Sequence, residues 1–396
     1  MWWNKLVYIY VFLWGIYALH WNDMSLPLVE ALSNVVLGFC LLMSFLCFLH
    51  CCSEYKLSAF LKVSIVLMIV FSIYGIVSIV SGEVLKIKDS GAIIKNGTYI
   101  IAFLRSFLPI FAFFYFAKRN VLNSQQLKFF MLFFLVLTVF IYIRSVSLHS
   151  LISSKKEFVN NIGYDFLSLV PFVFYLRKTT FQYLYWGVLL CFMFFALKRG
   201  PILISSLLLV IFLFNKIKNA SSQNKIYTII GVAIIIGFAF VMLSDYYSSS
   251  DLFRTRVAKT LAGNTSKRNV IVEQLLDVFN YDTSLFNYIF GLGADATLKY
   301  GINYAHNDWV EILVDQGVFG VFLYLIFWFS AFRHLFFMKD KTSKYVYSFI
   351  MLDLFLRTIF SMTYSMIPTV TAMMLGYTIA RDEEYRETKE IVIQDD

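Results

Sequence analysis

Apolar residues run along this chain in long blocks separated by short polar clusters, the pattern of segments whose backbone groups must pair internally inside a bilayer. Blocks of spanning or near-spanning length fall at 6–20, 27–50, 58–81, 97–117, 127–143, 162–176, 181–197, 201–215, 226–244, 317–336, 345–364 and 366–380. They predict about twelve helices, and hence an all-α polytopic membrane protein whose shortest segments are tilted or partly re-entrant. The first block follows Lys5 as a signal-peptide core would. His20, Trp21 and Asn22 stand where a small-residue cleavage site belongs, so this block is expected to stay as a span.

One polar interruption is much longer than the rest, and it divides the chain into transmembrane helices over 1–244, a loop subdomain over 245–305, further spans over 306–380 and a tail over 381–396. Basic residues set the expected orientation. Lys56 and Lys62, Lys118, Arg119 and Lys128, Arg177 and Lys178, and Lys216, Lys218 and Lys225 fall on one side; Arg333, Lys339, Lys341 and Lys344 and the basic tail join them. That places both termini inside and the 245–305 loop outside, with Lys86, Lys88 and Lys95 against the trend. Within the loop, Phe253, Val257 and Leu261 recur at helical spacing among basic residues, as in a helix lying at the interface. Ser266 then caps an expected second amphipathic helix carrying Ile271, Leu275, Val278 and Phe279 on its apolar face.

Composition narrows the function classes. Hydrophobic residues make up 59% of the 396 positions and charged residues 15%, which excludes a soluble domain. The net charge of +9 sits in short clusters between apolar blocks, so no nucleic-acid partner is expected. The five cysteines, Cys40, Cys47, Cys51, Cys52 and Cys191, lie in or beside apolar runs and outline no disulfide framework. Cys47, His50, Cys51 and Cys52 match no zinc spacing and read as the polarizable end of a span. Gly291-Leu292-Gly293 lacks a third glycine and a surrounding βαβ pattern, so it reads as a tight turn rather than a nucleotide loop.

Candidate chemistry collects where charge interrupts the apolar rule. Lys198 and Arg199 stand between two spans, with Gly200 for the turn and Pro201 at the start of the next helix. Arg105 lies inside the fourth span, about 12 Å below its outer end at 1.5 Å per residue, and so faces a cavity or a partner. Arg357 has Asp353 four residues before it and reads as a structural ion pair. Arg105, Lys198, Arg199, Arg268 and His306 all project to the outer half of the membrane. Guanidinium forks there suit a phosphate or pyrophosphate leaving group. His306 precedes a helix start at Asn307 or Asp308 with Glu311 in the first turn, and is either a proton acceptor for a hydroxyl or a hydrogen-bonded structural residue. Asn160 and Asn161 either bind sugar hydroxyls or cap the following helix. No Asp-x-Asp motif stands in the long loop.

These residues carry a family resemblance. HNDWVEILVDQG, with His306 eleven positions before Gly317 and VFG behind it, resembles the histidine-to-glycine motif of the O-antigen ligase and polysaccharide polymerase (Wzy-like) family. FALKRGP at 195–201 resembles that family's arginine-glycine turn, and SKRNVIVEQLL followed by YIFGLGAD resembles its loop arginine helix and Gly-x-Gly turn. The resemblance implies a metal-independent glycosyltransferase of helical GT-C-like architecture, without cofactor, in the bacterial cytoplasmic (inner) membrane with its active site facing outside. It implies an undecaprenyl-pyrophosphate-linked oligosaccharide donor, a glycan acceptor and membrane lipid as partners, with a chain-length regulator protein as an accessory. His306 would then deprotonate or orient the acceptor hydroxyl, Arg199 and Arg268 would hold the donor pyrophosphate, and Arg105, Lys198, Asn160 and Asn161 would line the substrate site. Polymerase is the preferred reading, with an O-antigen ligase as the alternative. A transporter or flippase is the alternative of another class, and it would predict two similar halves and midplane charges.

Overall fold

A computed structural model of the chain describes residues 2–20, 27–81, 97–152, 159–219, 268–281, 284–301, 303–361, 363–364 and 366–394, with scattered positions between 225 and 258. The described residues are helical and contain no strand. In chain order the helices are α1 (Trp2–His20), α2 (Pro27–Glu54), α3 (Ala59–Val80), α4 (Thr98–Lys118), α5 (Ser124–Ile152), α6 (Gly163–Leu169), α7 (Thr179–Phe195) and α8 (Arg199–Asn219). After the scattered region come α9 (Arg268–Tyr281), α10 (Leu285–Phe290), α11 (Ala296–Tyr300), α12 (Asp308–Phe337), α13 (Lys341–Phe360) and α14 (Thr369–Gln394).

Among the described residues, six helical stretches are long and apolar enough to cross a membrane: Val29–Glu54, Ala59–Val80, Thr98–Lys118, Ser124–His149, Arg199–Asn219 and Asp308–Phe337. Lys5–Leu19 and Thr179–Phe195 are apolar but shorter. The expected span at 162–176 is divided. Its first half is α6, and Val170–Tyr175 tightens into a 3-10 helix at Pro171, which has no N–H to continue the α-helical ladder. Most of the expected 226–244 span and of the 252–261 interfacial helix, and the Ser266 cap, lie outside the described residues. Residues 381–394 are helical and form the last part of α14.

Helix α4 is the axis of the bundle, packed by α14, α2 and α3, and its phenylalanines from Phe103 to Phe116 are buried. Its closest neighbour is α14, because Gly376 has no Cβ and so lets its backbone rest against the Ile110 carbonyl. At one end of the bundle the two helices are joined by Lys118 to Glu387 at 2.7 Å. Nearby, Arg119 pairs with Glu54 at 2.6 Å and Cys51 Sγ donates to the Phe111 carbonyl, so this cysteine-rich end of α2 is a packing surface. The opposite end carries His306.

Arg357 and Asp353 form a buried ion pair in the bundle. Arg357 makes a two-pronged contact with Asp353, both bonds at 2.8 Å, as their spacing predicts. The same guanidinium donates to the Tyr164 carbonyl and to Ser168 Oγ and stacks on the Tyr164 ring, so it ties α13 to α6.

Candidate active site

Helix α12 begins where the cap pattern predicts. Asn307 is the N-cap, and its Oδ1 accepts from the Trp309 and Val310 amides. His306, just before the cap, has φ 54°, a left-handed conformation that costs a residue with a Cβ about 1–3 kcal/mol unless its surroundings hold it. Glu311 holds it: Oε1 accepts the His306 amide at 3.3 Å, and Oε2 accepts the Thr297 hydroxyl at 2.5 Å. One buried carboxylate thus joins the histidine's main chain to α11.

The helix then breaks at Gly317 (φ 69°, ψ −166°), which leaves the carbonyls of the preceding turn without their usual i+4 donors. The 291–293 turn supplies replacements. The Leu292 amide donates to the Val314 carbonyl at 2.8 Å and the Gly293 amide to the Asp315 carbonyl at 3.0 Å. Gly291 and Gly317 meet backbone to backbone; a Cβ on Gly317 would lie 2.5 Å from the Gly291 nitrogen. The Gly-x-Gly segment is therefore a strap that closes over the kink, a role beyond the tight turn expected of it.

A small second core supports this arrangement. Ile271, Leu275 and Phe279 of α9 pack with Ala296, Ala305 and Val314, so the amphipathic face read from the sequence docks on the first turns of α12. The acidic residues of those turns are engaged by donors. Asp308 accepts from Tyr324 and from the Thr363 and Tyr364 amides, and Asp315 accepts from the Thr297 amide and the Tyr364 hydroxyl. Asp308, Glu311 and Asp315 form one anchoring network, in which Glu311 and Asp315 share Thr297 and Asp308 and Asp315 share Tyr364. Asp295, itself left-handed at φ 55°, is pushed up to about 6 by burial, with the Tyr304 hydroxyl opposing the shift.

The structure brings three of the predicted site residues together. His306 is half-buried, and its imidazole is pushed down to about 4, first by loss of water and then by the positive charges of Arg268 and Lys198. Lys198 donates to Asn161 Oδ1 at 2.7 Å, which connects the α7–α8 turn to the segment before α6. Arg199 opens α8, and the following Gly200 lies against the Tyr164 hydroxyl. The charge of Arg268 also acts on that tyrosine. Tyr164 is thus a member of the cluster that the sequence did not single out, since nothing local distinguishes it from 24 other tyrosines among the 25.

Two predicted residues are positioned differently. Asn160 is buried, accepts the Ile162 amide and donates to Ser145 Oγ, so it ties the segment before α6 to α5. Arg105 donates to the Tyr17 hydroxyl of α1 at 3.1 Å.

The site thus combines a half-buried imidazole whose basicity is lowered by burial with the charges of Arg268 and Lys198 acting on it. Residues 184–325 match the family described as O-antigen ligase. The matched segment runs from α7 into α12 and contains Lys198, Arg199, Arg268 and His306, and it supports the O-antigen ligase/Wzy-like family for this chain. None of the curated proteins matches the chain.

Proposed function

We propose that this protein is a polysaccharide polymerase that transfers a glycan from a lipid pyrophosphate to an acceptor sugar hydroxyl at the outer face of the cytoplasmic membrane. What supports the reading is that the charges of Arg268 and Lys198 both act on the half-buried His306 imidazole, while residues 184–325, which contain all three, match the O-antigen ligase family.

In this reaction the acceptor oxygen forms a bond to the anomeric carbon while the bond from that carbon to the pyrophosphate oxygen breaks. The acceptor proton passes to an imidazole nitrogen of His306, and the lipid pyrophosphate leaves with the electron pair. Arg268, joined by Arg199, stabilises the charge that develops on the leaving group, and Lys198 adds a point charge. The two cations that depress His306 are those the donor would neutralise. Donor binding therefore makes the imidazole more basic at the moment a proton must be taken up. The left-handed backbone of His306, held by Glu311, fixes the ring's base relative to the α9 arginine.

Chain-length analysis of His306 variants tests the reading. His306→Ala should abolish chain extension at normal protein abundance. His306→Gln, which hydrogen-bonds but takes up no proton at neutral pH, should do the same if proton transfer is obligatory. Near-normal polymer with His306→Ala would remove the histidine from the reaction.

A further inference from the structure

Helix α10 is built inside out. Leu285 is 76% exposed and Phe286 68%, and Tyr288, Ile289 and Phe290 are exposed as well, whereas Asn287 is the one half-buried member of the helix. Its polar requirements are met locally: Ser284 caps the Asn287 amide and the Asn287 carbonyl accepts the Gly291 amide at 2.6 Å. A six-residue helix with five apolar side chains turned outward is unfavourable against water, and contiguous apolar surface of this kind marks a contact.

The surface beside it identifies that contact. Phe290 packs on Phe319 of α12 with ring centroids 5.8 Å apart, and the Gly291–Gly317 junction fixes α10 to the same helix. Below the kink, α12 presents Val318, Phe322, Leu325 and Phe329 as an exposed stripe at helical spacing, within a helix long and apolar enough to span. The exposed apolar residues of α10 are thus held next to the helix that carries this stripe.

We propose that α10 is embedded among the acyl chains of the leaflet on the His306 side and anchors the strap and the second core to the membrane surface. Acyl chains satisfy both faces at once, since the exposed stripe of α12 and the exposed side chains of α10 belong to elements joined at Phe290–Phe319 and at Gly291–Gly317. The kink at Gly317 then lies at the level of α10, and the 308–316 turns with Asp308, Glu311 and Asp315 stand on the aqueous side of the hydrocarbon.

Spin labels placed singly at Leu285, Phe286 and Ile289 of the full chain in lipid bilayers, with native cysteines replaced, test this by collision with oxygen and with a water-soluble nickel chelate. Phe322 serves as the lipid-facing reference and Asn303 as the aqueous one. Oxygen accessibility exceeding chelate accessibility at all three α10 sites, as at Phe322, is the expected result. Chelate accessibility equal to or above that of oxygen, as at Asn303, would overturn the proposal. Inaccessibility to both reagents would also overturn it, by showing a protein partner or second copy over the helix. The readout is independent of catalysis, so it stands or falls separately from the polymerase reading.

Discussion

Replacing Gly317 by alanine should release the 291–293 strap from α12 and stop chain extension while the bundle stays inserted. The backbone at φ 69° and ψ −166° is a region essentially reserved for glycine, and forcing a Cβ into it costs about 1–3 kcal/mol. The new methyl group would also lie 2.5 Å from both the Gly291 nitrogen and the Ile289 carbonyl oxygen, an overpacking that costs about 1–3 kcal/mol more. Against this combined penalty stand the two strap bonds to the Val314 and Asp315 carbonyls, each worth about 0.5–1.5 kcal/mol net. The strap is therefore the element that yields, and α12 below the kink does not. Hydrogen exchange followed by mass spectrometry should show the segment containing Leu292 and Gly293 exchanging at least about tenfold faster than in the wild type, with the α4 and α14 segments unchanged. Gly38→Ala is the control, because a Cβ there meets nothing within 4 Å. Unaltered exchange at Leu292 together with full-length polymer would refute the strap as a support of the site.

Three further outcomes follow from the same geometry. Because His306 is held near 4, below its ordinary 6.5, its neutral form persists as pH falls and is lost only through about pH 4; the acid limb of kcat/KM should lie near there, and Arg268→Gln should move it upward, whereas a wild-type limb near 6.5 would contradict the desolvated imidazole. Arg199→Lys should lose most chain extension at normal abundance, since one ammonium does not reproduce a guanidinium fork, while Arg357→Ala should lower abundance and melting temperature because an uncompensated Asp353 in a buried pair costs about 3–5 kcal/mol. In a background without native cysteines, a cysteine at the exposed Asn303 should react with an impermeant thiol reagent from outside and one at the exposed Thr342 only after permeabilisation; the reverse pattern would invert the proposed orientation.

What the chain discloses before folding is its local periodicity. The long apolar blocks, the α9 face of Ile271, Leu275 and Phe279, the Asn307 cap and the Arg357–Asp353 pair each depend on residues within a turn or two of one another, so spacing suffices to find them. The resemblance picked out His306 and Arg268, and the charge between two apolar blocks picked out Lys198; in the fold the charges of Arg268 and Lys198 both act on the His306 imidazole. What spacing does not disclose is contact across long stretches of sequence. The strap joins residues near 292 to carbonyls near 314, and Tyr164 reaches Gly200 and Arg357 from a helix that the apolar pattern reads as one continuous span. Thr297 and Thr363 are small polar residues with no local signature, and they become anchors only when a buried carboxylate arrives beside them. Asn160 is a further case, since its bond to Ser145 Oγ joins α5 to the segment before α6 across an intervening polar stretch.

Transfer from a lipid pyrophosphate onto a second lipid-linked repeat unit can be measured with the purified protein in lipid, supplied with lipid-pyrophosphate-linked single repeat units alone. The expected products are lipid-linked chains of two and more repeats, with one lipid pyrophosphate released per linkage, and none of either with His306→Ala. Donor left unchanged until a lipopolysaccharide core acceptor is added, then consumed by capping that core, would contradict the polymerase and make the protein a ligase.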